Sequence, residues 1–164
     1  MTSDDDRAPT RAGRTARGIA GVAALVVLAD QITKALVVHA IPLGSHRTVV
    51  AGVVELVHTR NSGIAGGLLA GAGAIVPLVS VVAIAVLMGF ALRAGGGRRL
   101  WLPLGLVLGG AIGNLFDRLR SGAVTDFLQL VHRGPSNLAD QAILLGVIGL
   151  IVLWARAEPA PRVA

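Results

Sequence analysis

Four apolar runs constrain this chain more than anything else in it: Gly18 to Val38, Leu68 to Leu92, Leu100 to Phe116 and Leu138 to Ala155. A helix rises ~1.5 Å per residue and needs about 20 apolar residues to cross a bilayer core. All four runs reach that range, the third at its short end. Inside lipid every backbone N–H and C=O must find a partner within the protein, so such runs become helices. Hydrophobic residues make up 54% of the chain and charged residues 15%, too apolar a balance for an ordinary soluble domain. The expectation is an all-α membrane protein with four transmembrane helices in one domain, 18–157. A cytoplasmic tail, 1–17, is too polar to pack and is expected to be disordered. A short tail, 158–164, ends the chain.

The basic residues set the orientation. Arg7, Arg11, Arg14 and Arg17 precede the first run, Arg93, Arg98 and Arg99 separate the second from the third, and Arg156 and Arg162 follow the fourth. Arginines flanking spans stay inside, so both termini are expected in the cytoplasm. The first run ends in Val38-His39-Ala40, which resembles a signal-peptide cleavage site. The run is too long for that, and it holds Asp30 and Lys34, so it reads as an uncleaved helix. The net charge of +6 could suggest nucleic acid, but aromatic residues are only 3% of the chain. We read the arginines as topology signals and expect no nucleic-acid partner. The absence of cysteine excludes disulfides, thiolate metal sites and a cysteine nucleophile. His39, His46 and His58 match no compact ligand spacing, so neither a metal nor a cofactor is expected.

The segments outside the membrane carry the chemistry. Thr48 to Arg60 alternates in part and is rich in β-branched residues, with Gly52 at a turn or bulge, which predicts a small hairpin or sheet on the membrane surface. Asp117 to Ser136 reads as a second outer loop. Threading four spans brings Asp30, Lys34, Asn61, Asn114, Asp117, Arg118, Asp126, Asn137 and Asp140 to one membrane face. Ionisable groups at such places are expensive and mark functional sites. Some of these residues must satisfy one another and the open helix ends. Asp30 and Lys34, spaced i, i+4, share a helix face and pair. Paired carboxylates are the natural catalytic candidate: two close aspartates resist double ionisation, so one keeps a proton. Asp126, in the loop, and Asp140, at a helix mouth, can meet in this way. A proton-coupled carrier would instead place polar groups at the midplane of repeated halves, and no repeat is present. A scaffold locked by Asp–Arg pairs is the remaining alternative.

Four blocks carry a family resemblance. They are Asp30-Gln31-Ile32-Thr33-Lys34, Asn61-Ser62-Gly63-Ile64-Ala65, the stretch from Gly109-Gly110 through Gly113-Asn114 and Asp117-Arg118 to Asp126-Phe127, and Asn137-x-Ala139-Asp140. In this order the chain resembles bacterial lipoprotein signal peptidase, signal peptidase II. The resemblance implies a membrane aspartic endopeptidase that cleaves diacylglyceryl-modified prolipoproteins just before the lipidated cysteine. It implies Asp126 and Asp140 as catalytic residues. It implies Asn61, Gly63, Asn114, Arg118 and Asn137 as residues that bind substrate or hold the pair, with Asp30, Lys34 and Asp117 supporting the fold around them. It further implies a four-helix bundle with a small extracytoplasmic β-cradle in the bacterial cytoplasmic membrane, a site at the outer face, contact with membrane lipid and inhibition by globomycin-type cyclic peptides. Gly66 and Ser136 stand where the family usually has phenylalanine.

Overall fold

A computed structural model describes residues 10–63, 78, 79, 82, 83, 85, 86, 89, 100–130 and 133–156. The elements run in the order α1 (Arg11–Ala40), β1 (His46–Val50), β2 (Val54–Asn61), α2 (Trp101–Ser121), β3 (Val124–Leu130) and α3 (Leu138–Ala155). Positions 78, 79, 82, 83, 85, 86 and 89 are also helical and fall within the expected second span. The rest of that span, with Gly66 and the basic loop from Arg93 to Arg99, lies outside the described residues. The described chain is therefore mostly helical with one small sheet.

Helix α1 begins ahead of its apolar run, because Thr10 caps it by accepting the Gly13 N–H at 3.2 Å. The basic turns at Arg11 to Arg17, expected in the disordered tail, are thus helical. Pro42 follows the C-terminal residues of the helix and cannot extend it. Among the described residues, two helices are long and apolar enough to cross a membrane: α1, over Ala12–Ala40, and α3. Helix α2 extends past its apolar run through Asp117, Arg118 and Arg120 and ends only at Gly122. There φ is 73°, a left-handed turn suited to glycine, and the Gly122 N–H donates to the Arg118 carbonyl.

Close packing of the three helices rests on glycines. A methyl group on Gly105 or Gly109 would strike Val22 or the Ala23 backbone of α1. On Gly110 it would overlap the Ala139 carbonyl oxygen of α3, and on Gly113 it would meet Asp30 Oδ2. The Gly109-x-x-x-Gly113 spacing therefore brings α2 against α1, as small-residue faces do. Gly110→Ala is expected to push α3 away where Asp140 is mounted. It should cost about 1–3 kcal/mol by overpacking and lower activity more than stability, which unfolding and turnover measured on one detergent preparation will show.

The sheet has the order β1–β2–β3, antiparallel throughout. The expected hairpin is β1–β2, turning at Gly52 with φ 69°. Its partner β3 replaces part of the expected second outer loop, which is a correction to the reading of Asp126 as a loop residue. In β3 an inward aspartate breaks the apolar alternation, and that hides the strand in the sequence. Val37 and Ile41 of the α1 end, Phe127 of β3, and the flanking Leu56, Leu128 and Leu138 form the core that fixes the sheet on the helix ends.

Candidate active site

The site gathers where α2 ends, β3 passes and α3 begins. Asp126 lies in β3 opposite Thr59 of β2 and is 2% exposed. Asn137 caps α3, accepting the Asp140 N–H on Oδ1 at 2.9 Å. Asp140 Oδ2 accepts the Asn137 N–H in return at 3.2 Å, completing a capping box. Asn137 Nδ2 also donates to Asp126 Oδ1 at 2.7 Å. One asparagine therefore contacts both aspartates, and they share one helix mouth.

Three asparagines hold the two carboxylates, and each is oriented by a donor whose identity is not in question. The Gly63 N–H donates to Asn61 Oδ1 at 2.9 Å, so Asn61 Nδ2 turns to Asp126 Oδ2 at 3.0 Å. The Asp140 N–H takes Asn137 Oδ1, so Asn137 Nδ2 turns to Asp126 Oδ1. Lys34 Nζ donates to Asn114 Oδ1 at 3.0 Å, so Asn114 Nδ2 turns to Asp140 Oδ1 at 2.7 Å. Each asparagine oxygen is occupied by an N–H, which leaves its amide to face an acid. Burial pushes the Asp126 carboxyl up to about 6. The Asn61 hydrogen bond opposes that rise, the nearby Asp140 charge adds to it, and Asn137 and Lys34 oppose it.

Behind this arrangement lies a buried ionic knot. Lys34 Nζ meets Asp30 Oδ2 at 2.7 Å and Asp117 Oδ2 at 2.9 Å. With Asn114 these use all three ammonium N–H groups. Asp30 also accepts the Ala139 N–H at 3.0 Å, which ties α1 to the first turn of α3. Asp117 also accepts the Thr125 N–H at 3.2 Å, which ties α2 to β3. The Asp30–Lys34 pair was expected from spacing, but its extension to Asp117 was not. Gln31, which bridges Asp30 at 3.2 Å and Asp117 at 2.9 Å, was missed. Its i, i+3 spacing to Lys34 and its place in the Asp30–Lys34 block are the sequence signals for it. Asp117 bonds to Lys34, Gln31 and Thr125; Arg118 instead donates from Nη2 to the Gly63 carbonyl at 2.8 Å. The buried Arg118 Nε has no hydrogen-bond partner among the described residues.

A cleft of about 650 Å³ opens over the two acids. Its polar end holds Asn61, Asn114, Arg118, Asp126 and Asp140. It continues along α3 past Ile143, Leu144 and Val147, opposite Val79 and Ala83. The two carboxylates thus adjoin an apolar trench along α3. Ser136 lines the cleft wall, its hydroxyl donating to the Leu128 carbonyl at 3.0 Å and accepting from Gln141 at 3.1 Å.

Residues 22–156 match the family model described as signal peptidase (SPase) II. The chain belongs to the signal peptidase II family. Relatives named lipoprotein signal peptidase agree with this. The one from Halothermothrix orenii is 34% identical over 138 residues, covering 84% of this chain and 95% of its own. The one from Syntrophotalea carbinolica is 41% identical over 140 residues, covering 80% and 86%. Among solved structures, a bacterial membrane enzyme determined by the in meso method at 2.3 Å resolution superposes with a TM-score of 0.80. That enzyme is 25% identical, with 89% of this chain and 94% of that one covered. Membership in the signal peptidase II family also agrees with the two apolar helices long enough to cross a membrane.

Proposed function

We propose that this chain is a membrane-embedded aspartic endopeptidase that removes the signal peptide from prolipoproteins, cutting before a cysteine that carries diacylglycerol. The observation that carries this reading is the continuity of the cleft: a carboxylate pair at one end and an apolar trench along α3 at the other. Acyl chains in the trench would hold the cysteine near the interface, with the bond before it at Asp126 and Asp140. The ionised member of the pair takes a proton from water, and the water oxygen bonds to the peptide carbon. The protonated member gives its proton to the carbonyl oxygen, producing a neutral tetrahedral diol. Collapse of the diol breaks the C–N bond, with one proton delivered to the leaving amine and one returned to the pair. No acyl-enzyme forms. Asn61, Asn114 and Arg118 line the cleft and would supply donors to a substrate backbone bound there. Globomycin-type cyclic peptides would occupy the same cleft. In this reading four helices span the bacterial cytoplasmic membrane, both termini are cytoplasmic and the cleft faces outward.

Purified full-length chain in lipid nanodiscs should cleave a diacylated prolipoprotein and leave the lipidated cysteine at the new N-terminus. The same precursor without its lipid should be processed at least tenfold more slowly. Equal cleavage of both precursors, or of neither, overturns the proposal.

A further inference from the structure

A second cleft, of about 530 Å³, lies between α1, β2 and the end of α2, on the other side of the ionic knot from the carboxylates. Ile32, Leu36 and Val38 form its apolar wall, and His39, Arg60 and Arg120 line it too. The apolar wall continues a stripe on α1. Leu25, Leu28, Ile32 and Leu36 are 68%, 59%, 58% and 62% exposed, and their spacing places them on one helix face. A face this apolar and this uncovered, on a helix able to cross a bilayer, is a lipid-facing surface. Its upper end runs into the cationic cleft.

The two arginines are brought together by the fold. Arg60 of β2 pairs with Thr125 of β3, whose N–H donates to Asp117, one helical turn before Arg120. Asp117 is the one acid among the residues lining the cleft, and its oxygens are taken by Lys34, Gln31 and Thr125. Both arginines are exposed, and neither has an ion-pair partner among the described residues. Two uncompensated guanidinium groups above an apolar stripe fit a phosphate joined to acyl chains. Free phosphate would leave the apolar wall unused.

We propose that this cleft binds one anionic phospholipid of the outer leaflet, with its phosphate on Arg60 and Arg120 and an acyl chain along Ile32 and Leu36. Arginine suits this task through its paired donors to phosphate oxygens. The lipid would seat the β2–β3 end of the sheet on the membrane without entering the catalytic cleft. The proposal rests on the membrane-embedded reading above.

Native mass spectrometry of the full chain released from detergent micelles, with added dioleoyl phosphatidylglycerol or dioleoyl phosphatidylcholine, tests it. The wild type is expected to retain one phosphatidylglycerol at least fivefold more than phosphatidylcholine. Arg60→Gln with Arg120→Gln should remove that preference, and Arg156→Gln, at the far end of α3, should leave it intact. Millimolar inorganic phosphate should not compete. Equal retention of the two lipids by the wild type, or undiminished preference in the double variant, overturns the lipid site. Cleavage of the diacylated precursor, measured on the same samples, separates the two proposals. Loss of lipid preference in the double variant with processing retained supports the lipid site and leaves the protease reading standing. Lipid preference without processing in the wild type sinks only the protease reading.

Discussion

Asp126→Asn is expected to abolish processing of a diacylated prolipoprotein, by about 10³-fold or more, while the protein still folds. Removing one member of a proposed acid–base pair forfeits general catalysis, which supplies roughly 10²–10⁴-fold by itself. The structure adds a second reason. Both oxygens of Asp126 accept from asparagine amides, Asn61 Nδ2 and Asn137 Nδ2, and neither amide can turn over without abandoning a backbone N–H. An amide at 126 must therefore present its NH2 to another NH2. That mismatch costs about 1–3 kcal/mol. Against it stands the relief of a buried charge. Burial raises the Asp126 pKa from 3.8 to about 6, so the folded state binds the proton more tightly than the unfolded chain. Stability contributed by this group is complete below about pH 4 and declines as pH rises through 6. The loss is about 3 kcal/mol at most. Asp126→Asn removes this pH dependence, so its melting temperature at pH 8 should lie within a few degrees of the wild type. In the proposed mechanism the same proton governs catalysis. As pH rises past about 6 the pair loses its shared proton, and kcat/KM should fall on that limb, with the apparent pKa belonging to both acids together. A variant that folds and still processes substrate would remove Asp126 from the mechanism. A wild-type profile flat from pH 5 to 9 would remove the shared proton.

Local chemistry was readable in the sequence, and long-range partnership was not. The i, i+4 pair of Asp30 and Lys34 and the turn at Gly52 follow from spacings of a few residues, and the structure has both; the Asn137–Asp140 capping box is as local but emerges only from the structure. Strand β3 was hidden because its inward position holds Asp126, so the pattern that marks a half-buried strand carries a charge where an apolar residue belongs. The partner of Asp117 was equally hidden. Sequence places Arg118 beside it, but successive helical residues point away from each other. Lys34, 83 positions away, reaches it because small residues let α1 and α2 touch. The orientation of Asn114 depends on a contact spanning 80 residues, which no local pattern encodes, whereas Asn61 and Asn137 are turned by N–H groups two and three residues on. The family motifs recovered what periodicity could not, since they mark positions that converge only after folding.

Lys34→Met is expected to have the largest effect on stability, about 3–5 kcal/mol, the cost of removing one partner from a buried ion pair. Lys34 is 4% exposed and Asp30 is fully buried. Without the ammonium, two acids from different helices face each other in a dry interior, and α1 loses its ionic tie to α2, keeping only the Gln31 hydrogen bonds and the glycine packing. Lys34→Arg should rescue little, because a planar guanidinium cannot point three donors at Asp30, Asp117 and Asn114 as an ammonium does. Adding Asp30→Asn and Asp117→Asn to Lys34→Met should restore most of the stability by removing the unpaired charges. It should not restore full activity. Lys34 is also the donor that fixes Asn114 Oδ1, and so turns Asn114 Nδ2 toward Asp140. With that donor gone, the amide can rotate and set its oxygen against the carboxylate. Displacing a reacting group by about 1 Å can cost up to 10²-fold, so the triple variant should melt near the wild-type temperature yet show kcat reduced tenfold or more. Thermal unfolding in detergent and turnover of a diacylated precursor, measured on one preparation, separate these effects. Full recovery of kcat along with stability would confine Lys34 to holding the helices together.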